Sequence, residues 1–207
     1  AVPGFSAEPS REALHHYLGL AYIPGELTAF EGIGELAPGE RLEVRVDRDA
    51  IHRDRFFQLD HDPLASTDRR ELAARTLELL EAAVRRQLVS DVPVGVMLSG
   101  GIDSSALAAL AVKVRGNADI DTFSLAFDDT DFDESAAARR VAEHLGTRHH
   151  EIKVTPDRVR ELLPACLAGI DEPYADGSAI PTWLLAERAR DHVTVLLSGE
   201  GGDELLA

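Results

Sequence analysis

The stretch that most constrains the fold of this chain is residues 94–105, VGVMLSGGIDSS, in which an apolar run meets two glycines. The apolar run has the length of a strand, and the alanine-rich residues 106–114 that follow it are typical of a helix. Glycines let the backbone approach an anion closely, and the first amides of a helix carry partial positive charge. The stretch therefore predicts a strand, a tight turn and a helix start suited to phosphate. An ordinary turn is the alternative interpretation of the two glycines.

The side chains around the two glycines favour the phosphate interpretation. Ser99, Ser104 and Ser105 supply hydroxyl groups, and Asp103 supplies a hard oxygen ligand of the kind that Mg²⁺ prefers. A carboxylate beside a triphosphate is tolerated mainly when a metal ion lies between them. The stretch thus predicts a metal-assisted nucleotide phosphate site.

A second stretch near the end of the chain, residues 193–204, repeats this pattern as VTVLLSGEGGDE. It is again an apolar run that ends in Ser-Gly and continues into glycines and acids. Ligands bind at the carboxyl ends of the strands in parallel sheets. If both strands belong to one such sheet, the two turns lie side by side, and we expect Asp103 and Asp203 to share one Mg²⁺.

The order of predicted elements indicates an α/β layered fold. Strands are expected near 94–98, 120–126, 149–153 and 193–198, and helices at 66–88, 135–145, from Thr155-Pro156 onwards and at 181–190. Such alternation predicts a mostly parallel sheet with helices on both faces. Ser66 or Thr67 is expected to cap the first of these helices, and the last acids of residues 128–134 to cap the helix at 135–145.

Two smaller features carry local expectations. Residues 28–46 suggest a small hairpin around Pro38-Gly39-Glu40. His149 and His150 are adjacent in a predicted strand, so their side chains point to opposite faces and joint metal ligation is not expected.

Composition limits the partners of the chain. Lys and Arg total 21 against 37 Asp and Glu, which gives a net charge of −16 and argues against nucleic acid, whose phosphates require basic residues. No apolar run is long enough for a membrane span, and no signal peptide is seen. The one cysteine, Cys166, excludes an internal disulfide. These features indicate a cytoplasmic protein with neither a nucleic-acid nor a membrane partner.

The motifs resemble those of one enzyme family. Residues 99–104 (SGGIDS) resemble the pyrophosphate loop of N-type ATP pyrophosphatases, and residues 198–204 (SGEGGDE) resemble the second signature of the asparagine synthetase synthetase domain. Residues 171–173 (DEP) and 181–185 (PTWLL) resemble the segment between those signatures. The resemblance covers most of residues 10–207, and the two signatures together are narrow: they occur in asparagine synthetases and in relatives such as β-lactam synthetases and lasso-peptide cyclases.

The resemblance implies an adenine nucleotide α-hydrolase-like fold that uses ATP and Mg²⁺. It assigns pyrophosphate binding to Ser99, Gly100, Gly101, Asp103 and Ser104, adenine contacts to Leu98 and Leu125, and further nucleotide contacts to Ser198 and Gly199. Asp103 and Asp203 would ligate Mg²⁺. Glu200 would act as the catalytic base that takes a proton from the attacking amine, the alternative being a structural turn carboxylate.

The resemblance also implies the reaction. A small-molecule carboxylate, which is aspartate in asparagine synthetase, attacks the α-phosphate of ATP to give an acyl-adenylate and pyrophosphate. Ammonia or another amine then displaces AMP. The family's ammonia comes from glutamine through a glutaminase domain, and a homodimer is one assembly consistent with the resemblance. The alternatives are a related cyclising ligase and a non-catalytic nucleotide-binding module.

The resemblance divides the chain into residues 1–62, an interdomain linker with a small hairpin, and 63–207, a partial ATP pyrophosphatase domain. The sequence lacks the N-terminal cysteine nucleophile of the glutaminase domain, and it has no counterpart of a phosphate-binding lysine that the family carries beyond Asp203-Glu204. We therefore expect a fragment of a longer enzyme, with weak or no activity alone. We also expect exposed apolar surface where further helices would pack.

Overall fold

The computed structural model describes residues 8–48, 50–59, 68–128 and 133–206. Their elements, in chain order, are α1 (Arg11–Leu20), β1 (Glu40–Arg45), β2 (Ala50–Arg55), α2 (Arg69–Gln87), β3 (Val94–Met97), α3 (Ile102–Arg115), β4 (Asp121–Phe127), α4 (Ser135–Leu145), β5 (Arg148–Val154), α5 (Pro156–Gly169), α6 (Ala179–Ala189), β6 (Val195–Leu197) and α7 (Gly202–Leu206). They form two units, a smaller one from residues 8–59 and 167–176 and a larger one from 68–166 and 177–206. The predicted domain boundary after residue 62 lies outside the described residues.

The larger unit is built on a parallel sheet of four strands in the order β5–β4–β3–β6. In this register, Val96 of β3 lies opposite Thr122 of β4 on one side and opposite Leu197 of β6 on the other. The predicted α/β fold with a parallel sheet is therefore confirmed. The strand order puts the two strands that precede the glycine-rich turns next to each other, although about a hundred residues separate them in the chain.

Helices cover both faces of this sheet because the side chains of each strand alternate. Val96 and Leu98 pack with small residues of α3 and α4, such as Ala108 and Ala138, on one face. Phe123 packs on the other face with residues of β5, α5 and α6: Ile152, Leu162, Leu184 and Leu185. None of the helices in the described part of the chain combines the length and the apolar character needed to cross a bilayer.

A polar network is buried in the first of these faces. Thr122 Oγ1 is 3.0 Å from Nδ1 of His149, and Ser124 Oγ is 3.2 Å from its Nε2. Burial lowers the pKa of His149, which favours the neutral ring, with one nitrogen donating and the other accepting. His150 instead stacks on Phe123, whose side chain belongs to the opposite face. The two histidines thus point to opposite faces, in agreement with the strand alternation.

Helix α2 begins later than the sequence predicts. Its N-cap is Asp68, whose carboxylate accepts a hydrogen bond of 2.8 Å from the amide of Arg70, so neither Ser66 nor Thr67 is the cap. The two predicted caps lie outside the described residues. The apolar stripe of α2 is also less buried than its periodicity suggests, because Val84 is the helix's one residue in the buried class.

In the smaller unit the predicted hairpin is displaced. The strands that pair are β1 and β2, so the turn follows Arg45, and the Pro38-Gly39 turn that the sequence offered precedes β1. Gly39, with φ of +77°, accepts hydrogen bonds from the amides of Phe56 and Phe57 and closes the other end of the hairpin. The sequence did not predict strand β2, because its largely exposed and charged residues lack the alternation of apolar and polar residues that marks a half-buried strand. Its Asp54 pairs across the strands with Arg41 at 3.0 Å.

Residues 167–176, the end of α5 and the loop after it, belong to the smaller unit. Glu172 Oε1 accepts a hydrogen bond of 3.0 Å from the amide of Ala29, and the amide of Ala175 donates to the carbonyl of Ala21 at 3.0 Å. Glu172, part of the 171–173 motif, therefore holds this loop to the segment around Ala29.

The close packing of β3 predicts that a side chain at Gly95 destabilises the fold. A Cβ added there would lie 2.8 Å from Cε2 of Phe123 and 3.0 Å from the carbonyl oxygen of Asp121. We expect Gly95→Ala to lower the free energy of unfolding by about 1–3 kcal/mol, because the strand must shift to make room. Urea denaturation measures the change. Gly177→Ala is the control, since open space surrounds Gly177, and equal stability of the two variants would contradict the packing argument.

Candidate nucleotide-binding site

The two glycine-rich turns meet at the carboxyl ends of β3 and β6. A Cβ built on Gly199 would lie 3.2 Å from Cβ of Asp103, and one built on Gly202 would lie 3.0 Å from Cγ of Asp103. Larger residues at these glycines would push Asp103 away, so the glycines allow the second turn to pack against the start of α3. The structure thus brings together the two turns as the repeated motif predicts.

Two serines hold the first turn in shape. The hydroxyl groups of Ser99 and Ser104 are 2.9 Å apart, and Ser104 Oγ also accepts from the amide of Ser99 at 3.2 Å. Ser104 Oγ donates to the carbonyl of Gly101, while the amide of Gly101 donates to Ser99 Oγ, both at 3.3 Å. These bonds fix the curvature of the loop, and they place two hydroxyl groups where a bound anion can share them.

Helix α3 begins without a side-chain cap. Its N-cap residue is Gly101, whereas Ser10 and Asp68 accept hydrogen bonds from the first turns of α1 and α2. The amides at the start of a helix need an acceptor from a side chain, water or a ligand. No side chain of the described residues caps this end. The first turn of α3 can therefore donate to a phosphate.

Gly100 connects this turn to α4. Its φ of +88° lies in the left-handed region, and an added Cβ would come within 2.6 Å of Cβ of Ala137 and of the amide nitrogen of Ala138. The start of α4 is itself held by Asp133, which accepts from the hydroxyl of Ser135 at 3.0 Å and from its amide at 3.2 Å. The hydroxyl bond and the amide bonds lower the pKa of Asp133. Asp133 thus caps the start of α4 as the sequence predicted for the last loop acids, whereas Glu134, at the N-cap position, makes no side-chain cap hydrogen bond.

A cleft of about 390 Å³ opens between the two turns. Most predicted site residues line it: Leu98, Ser99, Asp103, Ser104, Leu125, Ser198, Gly199, Glu200 and Asp203. Gly100 and Gly101 do not line the cleft. Gly100 packs against α4 and Gly101 is the N-cap of α3. Residues that the sequence analysis missed also line the cleft: Met97, Phe123, Ser124, Phe127, Glu134, Leu185, Gly201, Gly202 and Glu204. Most of these residues lie close in sequence to a predicted strand end or turn, whereas Leu185 belongs to the 181–185 motif.

The cleft combines an acidic mouth with an apolar wall. Its carboxylates come from Asp103, Glu134, Glu200, Asp203 and Glu204, and the described residues that line it include no Lys, Arg or His. Polyphosphate would be repelled here unless a cation accompanied it, and oxygen donors of this kind suit Mg²⁺. The donor set therefore fits the ion that the sequence predicted. The apolar wall offers a surface on which a planar base can pack.

An apolar groove of about 490 Å³ lies beside the edge strand β6. Leu80, Val84, Leu107 and Leu205 line it together with Ile102, which is 88% exposed. This groove is the kind of exposed apolar surface that the sequence analysis expected.

Comparison with known proteins identifies the family of the chain. The family model described as asparagine synthase matches residues 75–207, a range that contains both turns. The chain belongs to the asparagine synthase family. The resemblance drawn from the two motifs is therefore confirmed.

Curated relatives of this asparagine synthase family chain match nearly all of it. A putative glutamine-hydrolysing asparagine synthetase of Mycobacterium tuberculosis is 37% identical over 204 residues, covering 98% of this chain and 31% of that protein. Asparagine synthetase 1 of Bacillus subtilis, also glutamine-hydrolysing, is 33% identical, covering 96% of this chain and 31% of that protein. The chain thus spans about a third of the length of these relatives. A glutamine-dependent NAD⁺ synthetase from Acinetobacter baumannii, solved with ADP, matches at 20% identity with a TM-score of 0.49, covering 79% of this chain and 30% of that one.

The role of Gly100 can be separated from simple backbone strain by a matched pair of variants. Gly100 and Gly201 have nearly the same φ, +88° and +89°, but only Gly100 packs against a neighbour. We expect Gly201→Ala to cost roughly 1–2 kcal/mol for the left-handed conformation. Gly100→Ala should cost at least about 1 kcal/mol more, since α4 must move. Urea denaturation measures both, and equal losses would show that the contact with α4 is unimportant.

Proposed function

We propose that this chain is the nucleotide-binding part of an ATP-dependent, AMP-forming carbon–nitrogen ligase of the asparagine synthetase type. It would adenylate a carboxylate, in the first instance aspartate, with release of pyrophosphate, and then pass the acyl group to an amine. Family membership supports the class of reaction. The observation that carries the proposal is the contact of Gly199 and Gly202 with Asp103, because it joins two glycine-rich turns into one acidic cleft.

The nucleotide would lie along the first turn. Leu98 and Leu125 belong to the apolar wall and would flank adenine, while Ser198 and Gly199 would meet the nucleotide from the other turn. The uncapped amides of α3 would donate to pyrophosphate oxygens, and the hydroxyl groups of Ser99 and Ser104 would do so by turning their hydrogens away from their present acceptors. This arrangement orients the triphosphate and leaves one side of it open to a second substrate.

Asp103 and Asp203 would hold Mg²⁺ in this cleft. When bound, the ion would neutralise phosphate oxygens and make the α-phosphorus more susceptible to attack. The two aspartates suit this role because they line the same cleft from different turns, and because no basic side chain lines the described part of that cleft.

The proposed chemistry balances in two displacements. A carboxylate oxygen of the substrate bonds to the α-phosphorus as the bond to pyrophosphate breaks. The amine nitrogen then bonds to the acyl carbon as AMP leaves, and the amine gives up a proton. Glu200 would accept that proton, since it is an acidic residue that lines the same cleft. Ammonia would come from a glutaminase domain of the kind that glutamine-hydrolysing relatives imply.

A cytoplasmic location and a homodimeric assembly are further predictions for the protein.

The two aspartates can be tested by nucleotide binding. We expect the full chain to bind ATP with Mg²⁺, and we expect Asp103→Asn and Asp203→Asn each to weaken that binding by at least about tenfold because a charged ligand is lost. Isothermal titration calorimetry with and without Mg²⁺ measures this. Asp157→Asn, in the first turn of α5, is the control. Mg²⁺-dependent binding that survives both substitutions would refute the assignment, and no binding at all would refute the enzymatic reading of this chain.

The acid substrate is identified by pyrophosphate release in the full-length native protein. Release that requires aspartate supports an asparagine synthetase. Release that requires another carboxylate, with a cyclic amide as product, would indicate a cyclising ligase instead.

Glu200 is tested by separating the two half-reactions. Glu200→Gln should keep aspartate-dependent exchange of pyrophosphate into ATP, because adenylation does not use this proton acceptor. Amide formation should fall by about 10²–10⁴-fold. Glu204→Gln, a second acid of the same cleft, is the matched control. Equal loss of both half-reactions in Glu200→Gln would assign Glu200 to the structure of the turn.

A further inference from the structure

A second group of ligand-bearing side chains lies at the opposite end of the sheet. Asp121 is the first residue of β4, His150 lies on β5 and His192 lies on the connection from α6 to β6. One potential ligand atom from each of the three lies within 4.8 Å of the others. Because the strands are parallel, the amino end of β4 is remote from the glycine-rich turns, which follow the carboxyl ends of β3 and β6. The group is thus separate from the nucleotide cleft.

The imidazole ring of His150 is already held in place. His150 Nε2 donates to Oδ1 of Asp121 at 2.8 Å, and its ring stacks on Phe123 with centroids 4.9 Å apart and an interplanar angle of 17°. The ring of His192 lies 4.0 Å from that of His150. Rings fixed by packing and by a carboxylate lose little freedom when they ligate a metal ion.

The local charge also favours a cation. Arg148 donates to both oxygens of Asp121, through Nε at 3.1 Å and through the outer nitrogen at 2.7 Å, and it also pairs with Asp119. Two carboxylates against one guanidinium leave one negative charge when the histidines are neutral. Oδ1 of Asp121 accepts from both Arg148 Nε and His150 Nε2, and the lone pair that serves His150 becomes available to an ion once that hydrogen bond is replaced.

We propose that Asp121, His150 and His192 form a site for one divalent transition-metal ion of the Zn²⁺ type. Two imidazole nitrogens and one carboxylate oxygen are the donor set that such ions prefer, whereas Mg²⁺ prefers oxygen ligands. The ion takes the place of the proton between Nε2 of His150 and Asp121, and a proton is taken up from solvent at Nδ1 as the Nε2 proton is released, so His150 ligates as a neutral imidazole. His192 is exposed and closes on the ion, and water completes the coordination.

A metal ion in this position would tie three separate elements together. It would link the start of β4 to β5 and to the segment that feeds the edge strand β6. Binding to the folded state alone raises its stability, so the ion would act as a structural clamp for the end of the sheet that the nucleotide does not touch.

Titration of the full chain with Co²⁺ tests the site, because Co²⁺ bound by two histidines and a carboxylate gives visible absorption bands that Zn²⁺ then abolishes. We expect one equivalent to bind, and excess Mg²⁺ to leave the bands unchanged. His192→Ala should weaken binding by roughly tenfold or more. The matched control is His144→Ala, an exposed histidine in the last turn of α4.

Thermal unfolding provides a second readout that does not depend on a spectrum. Zn²⁺ should raise the Tm of the wild-type chain and of His144→Ala, but not that of His192→Ala. The absence of Co²⁺ binding, competition by Mg²⁺, or unchanged binding in His192→Ala would each overturn the proposal. None of these measurements uses ATP, so they test the metal site independently of the proposed ligase activity.

Discussion

The candidate site depends on one close approach, that of Gly199 and Gly202 to Asp103. Without a Cβ at these positions, the second turn can pack against the first turn of α3, and the acids of both turns open into a single cleft. A Cβ at either glycine would lie only 3.0–3.2 Å from Asp103, so Asp103 or the turn would have to shift. The glycines of the second turn are therefore as much a packing requirement as a matter of backbone freedom.

The arrangement of the two turns also explains how an acidic cleft could bind a negatively charged triphosphate. Backbone amides at the uncapped start of α3 and the hydroxyl groups of Ser99 and Ser104 provide the donors. In the proposed function, Asp103 and Asp203 would provide ligands for a cation instead of repelling the phosphates directly. The positive field needed for a triphosphate can thus come from the backbone and a metal ion, in a chain whose net charge is −16.

The two ends of the sheet use different ligand chemistry. The carboxyl end presents carboxylates, hydroxyl groups and amides, which are oxygen ligands and hydrogen-bond donors for a nucleotide with Mg²⁺. The amino end presents His150 and His192 beside Asp121, which suits a softer ion. The adjacent histidines of β5, His149 and His150, face opposite sides of the sheet, as strand alternation predicts. The partners of His150 come from other elements, which sequence spacing cannot reveal.

Errors at the level of local structure have simple physical causes. The hairpin was displaced because β2 is exposed and charged, so it lacks the apolar alternation that reveals half-buried strands. The cap of α2 was misassigned because Asp68 stands next to two other good capping residues, and only the backbone geometry selects among them.

The sequence by itself determined the local chemistry: a strand, a glycine turn and a helix start, present twice, with serines and aspartates at fixed spacing. Those features follow from short-range rules, so they predicted the α/β class and half of the residues that line the cleft. Tertiary structure decided the order β5–β4–β3–β6, and with it which turns are neighbours. It also brought Glu134, Ser124 and Leu185 to the cleft, and His192 to His150. Such pairings depend on how strands far apart in the chain align and pack, and no local pattern encodes that alignment.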